Sequence, residues 1–126
     1  MFQFFLFWLL RYPNIQTLVL DNNCLTNIQD FPKLKKLECI WLNNNFLTQL
    51  EPILRVLKEQ APNLKHISLL GNLCCARYLF HEKQHAYGNY RRLIAKYFPK
   101  LESIDFEDIQ TKEREQRFPK SSIVIE

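Results

Sequence analysis

Apolar positions recur in short alternating bursts: Ile15-x-x-Leu18-x-Leu20-x-x-Asn23-x-Leu25, Leu37-x-x-Ile40-x-Leu42-x-x-Asn45-x-Leu47, and Leu64-x-x-Ile67-x-Leu69-x-x-Asn72 with Leu73 one place early. Each burst predicts a short strand with side chains pointing alternately to opposite faces. Leu18 and Leu20, Ile40 and Leu42, Ile67 and Leu69 then point into one shared core. The asparagines lie 22 and 27 residues apart. An amide offers donors and an acceptor on one short side chain, so each asparagine can satisfy backbone groups where the chain bends away from its strand, in its own turn and its neighbour's.

The longer second step has a visible cause. After Leu50 the sequence reads EPILRVLKEQ, with Pro52 suited to a first helical turn and Ile53, Leu54, Leu57 and Ala61 at helical spacing, which predicts a short helix opposite the strands. The burst returns in FPKLESIDFED, where Pro99, Leu101, Ile104 and Phe106 take the places of Pro62, Leu64, Ile67 and Leu69, and Ile109 replaces the asparagine. A terminal repeat is expected to be atypical, so Tyr87 to Phe106 is read as a C-terminal cap. The connection from Leu73 to Phe98 is expected to be partly helical, with Tyr90, Leu93, Ile94 and Tyr97 on one face. Thr111 to Glu115 predicts a last helical turn.

This periodicity is the leucine-rich repeat pattern. It predicts an α/β solenoid: a short parallel β-sheet on the concave face, helices and turns on the convex face, and the C-terminal cap. Residues 1–11 form an apolar N-terminal segment or cap, 12–110 the repeats with the cap, and 111–126 a short helix and a loose tail. The chain length of 126 residues leaves room for one domain, read as a monomeric solenoid.

Composition narrows the function. The net charge of +4, from 17 Lys and Arg against 13 Asp and Glu, is mild and mixed along the chain, so direct nucleic-acid binding is not expected. Cys24, Cys39, Cys74 and Cys75 form no C-x-x-C pair, which fits a reducing, intracellular setting; the cytoplasm is expected over the nucleus. The apolar run Phe4 to Leu10 is far short of a membrane span, and it lacks the basic n-region and cleavage site of a signal peptide. With glycine only at 71 and 88, no phosphate-cradling loop is present, and no cofactor is expected.

The cap carries a resemblance. Tyr90-Arg91-x-x-Ile94 leading to Phe98-Pro99-x-Leu101-x-x-Ile104-Asp105 is similar to the cap shared by the small nuclear ribonucleoprotein A-prime and acidic nuclear phosphoprotein families. Together with PNLKHISLLGN and the TKERE segment, it resembles the leucine-rich melanocyte differentiation-associated protein family more closely. That resemblance implies an adaptor in pigment-cell differentiation or organelle trafficking. The A-prime resemblance implies a nuclear ribonucleoprotein component that holds an RNA-binding protein rather than RNA.

HEKQH, His81 to His85, has the H-E-x-x-H spacing of a zinc hydrolase, and Gly88 extends it. The third ligand position is Arg91, which has no lone pair to give. Glu102 could substitute only by leaving the strand register. A zinc hydrolase is therefore disfavoured, and neither catalytic nor metal-binding residues are assigned; the residual metal reading is an adventitious site using His81, His85 and Cys74 or Cys75.

The expected site is the concave face, formed by residues alternating with the core: Thr17, Val19 and Asp21; Trp41 and Asn43; His66, Ser68 and Leu70; Asp105 and Glu107. Trp41 in the middle column is the anchor of a protein-binding surface, unless the N-terminal apolar segment folds back over it. Acidic Asp105, Glu107 and Asp108 close one end, while Lys33, Lys35, Lys36, Arg91, Arg92 and Lys96 fall on connections and the cap. Such a face suits an apolar partner segment with some basic character. The expected function is a non-enzymatic protein-protein interaction adaptor.

Overall fold

The computed structural model describes residues 7–75 and 84–114. Five short strands form one sheet in chain order: β1 (Thr17–Val19), β2 (Cys39–Trp41), β3 (His66–Ser68), β4 (Ser103–Ile104) and β5 (Glu107–Asp108). The first four run parallel in continuous register, with Leu18 beside Ile40, Ile40 beside Ile67, and Ile67 beside Ile104. The pairing needs a crossover between every two strands, which the repeat supplies.

The first crossover has no regular helix. The second contains helix α1 (Leu50–Gln60), with Pro52 in its first turn, where a missing N–H costs nothing. Its Ile53, Leu54 and Leu57 are buried in the same cluster as Ile40 and Ile67 of the strands and Leu20, Leu42 and Leu69 just after them. Leu18 is only partly buried, because β1 is the edge strand. Helix α2 (Gln84–Tyr97) follows and buries Tyr90 and Ile94 in this core. Helix α3 (Thr111–Arg114) is the last element.

The turns after the strands show why asparagine and glycine recur there. Asn22, Asn44 and Gly71, which precede the three repeat asparagines, have φ of 60°, 57° and 77°, the left-handed region that glycine and asparagine tolerate best. At Gly71 a Cβ would also sit 2.0 Å from Asn44 Oδ1. The neighbouring asparagines do the bonding. Asn45 Oδ1 accepts from the Asn23 and Leu25 amides, each at 2.9 Å, while its Nδ2 donates to the Leu20 and Leu42 carbonyls at 3.1 and 2.9 Å. Asn72 repeats the device one turn on, accepting from Leu47 N at 3.0 Å and donating to Leu42 O and Leu69 O.

The fourth burst departs from its expected register. Phe106 was matched to inward Leu69, yet it is 57% exposed. Asp105 and Phe106 have φ of 53° and 68°, and positive φ at both central residues is the geometry of a tight hairpin. The chain therefore reverses, and β5 pairs antiparallel with β4, Ile104 opposite Glu107.

Candidate binding face

The outward strand residues align in two rows across the sheet. Thr17, Cys39, His66 and Ser103 make one; Val19, Trp41 and Ser68 make the other. Thr17 and Val19 are exposed, and Trp41 and His66 are half-buried. Trp41 meets Phe106 edge-on, with ring centroids 5.2 Å apart. The hairpin thus sets a second aromatic beside the first, and the pair bounds a recess of about 180 Å³ lined also by Cys39, His66, Ser68 and Ser103. His66 Nδ1 is 2.8 Å from Ser103 Oγ, and its Nε2 lies 3.9 Å from Glu102 Oε1 at the rim. Burial pushes the Cys39 thiol up, against a hydrogen bond with Trp41 that pulls it down.

Four expected contact residues instead serve the scaffold. Asp21 Oδ1 accepts from Asn43 N at 2.8 Å. Asn43 Oδ1 accepts from Leu70 N at 2.9 Å and from Ser68 Oγ at 2.6 Å, and both Asn43 and Ser68 are buried. Asp105 is only 1% exposed. Its Oδ1 accepts from Leu69 N at 2.8 Å, while its Oδ2 accepts from Tyr87 and Tyr90 hydroxyls at 3.0 and 2.9 Å and faces Cys75 Sγ at 3.5 Å. Asp105 is therefore no part of an acidic rim, because its turn rolls the carboxylate inward. Leu70 is half-buried, and Glu107 is exposed. Burial and the Asp105 carboxylate push both tyrosine hydroxyls well above the ordinary range, which keeps them donors.

Arg91, which the sequence places on the cap and outside the groove, is buried. Nε donates to Glu113 Oε2 at 2.7 Å, Nη1 to Ile104 O at 2.8 Å, and Nη2 to Glu107 O and Asp108 O at 3.2 Å. One guanidinium thereby ties α2, the hairpin and α3 together, using the fork of donors that lysine lacks. Burial would push the Glu113 carboxyl up, but the Arg91 bond and the Gln110 amide override it and hold the group below its usual range.

His81, Glu82 and Lys83 lie outside the described residues, as do the side chains of Gln84 and His85. Among the described residues there is no group of three or more His, Cys, Asp or Glu that could hold a metal ion. Burial, with Cys75 and Asp105 nearby, pushes the Cys74 thiol up to about 12, so it is a reluctant source of the thiolate a metal needs. Glu115 and the rest of the tail are likewise outside the described residues.

Comparison with known proteins agrees with this architecture. Residues 13–55 match the family described as Leucine Rich repeats (2 copies). The chain is 34% identical over 107 residues to the leucine-rich melanocyte differentiation-associated protein of Homo sapiens, an alignment covering 83% of this chain and 54% of that protein. It is 30% identical over 118 residues to the probable U2 small nuclear ribonucleoprotein A' of Drosophila melanogaster, covering 79% of this chain and 42% of that protein. The chain thus spans about half the length of the curated relatives it matches. Among solved structures, the Drosophila melanogaster SNF/U2A' complex contains a chain with TM-score 0.54 and 28% identity, over 82% of this chain and 67% of that one. The Mex67 LRR domain from Chaetomium thermophilum aligns with TM-score 0.55 at 24% identity, over 79% of this chain and 62% of that one, a likeness of fold. Relatives named as nuclear ribonucleoproteins give no support to cytoplasm over nucleus. No helix among the described residues is long and apolar enough to cross a membrane. The chain is a leucine-rich repeat protein, similar to the leucine-rich melanocyte differentiation-associated protein and, more distantly, to the U2 small nuclear ribonucleoprotein A' proteins.

Proposed function

We propose that this chain is a non-enzymatic adaptor that binds another protein on the open face of its sheet, with Trp41 and Phe106 as the aromatic anchor. The observation that carries the reading is the edge-on pair itself. It sits beside exposed Val19 on a sheet whose opposite face is closed by the core, and binding hot spots concentrate on such aromatic residues. Exposed Glu102 and Glu107 lie at the β4–β5 end, so the occupant is an apolar segment with some basic character. Thr17, Val19, His66, Leu70 and Glu107 surround the anchor; Asp21, Asn43, Ser68 and Asp105 hold its shape. The likeness to the melanocyte protein supports a role in pigment-organelle differentiation or intracellular trafficking.

Affinity purification from lysate, comparing wild type with Trp41→Asp and Phe106→Ala, tests this. Loss of a small, shared set of trafficking proteins in both variants supports the adaptor and its site. Partners unchanged in variants that still melt like wild type refute the site. A second reading, a nuclear ribonucleoprotein component that holds a protein partner, is favoured by the 28% identity to a chain of the SNF/U2A' complex. Recovery of spliceosomal partners with nuclear enrichment would select it over trafficking.

A further inference from the structure

Helix α2 buries one side in the repeats and turns the other toward α3. That second side carries Asn89, Arg92, Leu93 and Lys96, at the spacing of one helical stripe. Lys112, Glu113 and Arg114 of α3, with Pro99, complete the lining of an open cleft of about 720 Å³. Its charge is one-sided. Glu113, the carboxylate in the wall, is already paired with buried Arg91 at 2.7 Å. Arg114 is committed to the main chain, donating to the carbonyls of Ala95 at 2.9 Å and of Phe98 and Leu101. Arg92 donates to neutral Asn89 Oδ1 at 2.6 Å and acts on Glu113 only at longer range, and among the described residues no ion pair includes Arg92, Lys96 or Lys112. Three cations therefore rim a cleft with Leu93 and Pro99 inside it.

We infer that this cleft binds an acidic peptide segment of a partner protein, one that sets an apolar side chain among its carboxylates. The arrangement fits that chemistry better than a bare phosphate, which calls for donors converging on one point. Here the cations stand on two walls and the space between is apolar, so a hydrophobic side chain fills the cleft while flanking carboxylates reach the rim. The surface is separate from the face around Trp41 and of opposite preference, so the two could hold a basic and an acidic segment at once.

The test uses a short fluorescein-labelled peptide of Glu and Asp around one central Leu, read by anisotropy. Its counterparts carry Lys in place of the acids, or Ser in place of Leu. Expected are binding of the acidic peptide that weakens with salt, weaker binding of the Ser version, and none of the Lys version. Lys96→Glu combined with Lys112→Glu reverses two exposed charges without touching the core, and should lower affinity by at least about tenfold with an unchanged melting curve. Trp41→Asp should bind the peptide as wild type does, which separates this site from the sheet face. Absence of binding by wild type, or equal binding by the double variant, overturns the inference. Full competition by inorganic phosphate, or a preference for phosphatidylserine vesicles that is lost in the double variant, also overturns it in favour of a phosphate site.

Discussion

Asn45 and Arg91 do the same job in different parts of the molecule: each is a buried polar side chain whose donors satisfy main-chain carbonyls of a turn. Asn45 does it with a neutral amide that also accepts from the preceding turn. Arg91 does it with a charge, and so is met by carboxylates, Glu113 at 2.7 Å and Glu107 at 3.8 Å. Inside the array each turn has a like neighbour, and a self-complementary amide can be repeated from turn to turn. Where the array ends and the chain doubles back as a hairpin, the carbonyls of Ile104, Glu107 and Asp108 point to one place, and only a forked donor reaches all three. Repetition favours neutral chemistry, and termination here uses an ion pair.

The comparison can be broken first at the repeat. Asn45→Leu removes both acceptor and donors in a buried site, and chemical denaturation should show a loss of about 3–5 kcal/mol. Glu113→Gln, which leaves buried Arg91 only the more distant Glu107 carboxylate at 3.8 Å, should cost about 2–3 kcal/mol at neutral pH. The pH dependence sharpens the contrast. Because the folded Glu113 carboxyl lies below its unfolded value of 4.5, its stabilisation is complete above that value and is lost as pH falls through the folded pKa. Wild type should therefore shed more stability on acidification than Glu113→Gln, whereas the asparagine column contributes no such slope. A smaller effect, about 1–2 kcal/mol, is expected for Gly71→Ala from its left-handed backbone and the approach of Asn44. Smallest is Phe106→Ala, within about 1 kcal/mol, with a shift in Trp41 fluorescence reporting the lost ring contact.

Much of the fold was legible because the repeat has a period. Leu20, Ile40, Leu42, Ile67 and Leu69 recur at the same places in each repeat and all are buried, and Pro52 with the apolar spacing of Ile53, Leu54 and Leu57 announces α1. The C-terminal hairpin was not legible. Asp105-Phe106 carries no glycine to signal a two-residue turn, and matching it to Leu69 by repeat alignment put the phenylalanine on the wrong side. The same alternation that puts Trp41 on the outward side of its strand placed Asp21, Asn43, Ser68 and Asp105 on the open face. Strand periodicity fixes only the direction of a Cβ; it does not say which short polar side chains then curl back to bond the neighbouring backbone. Arg91 was hidden for a related reason, since its partner Glu113 lies 22 residues away, and no local spacing links them.

The one-directional reach of Asn45 bears on synthesis. Its amide finishes the turn of the repeat before it, and Asn72 finishes that of Asn45 in turn. A growing polypeptide released from its N-terminus therefore carries, at every stage, a newest turn whose amides await a residue not yet made. Co-translational order in such a chain trails the point of elongation by one repeat, and the first turn settles only after Asn45 has emerged.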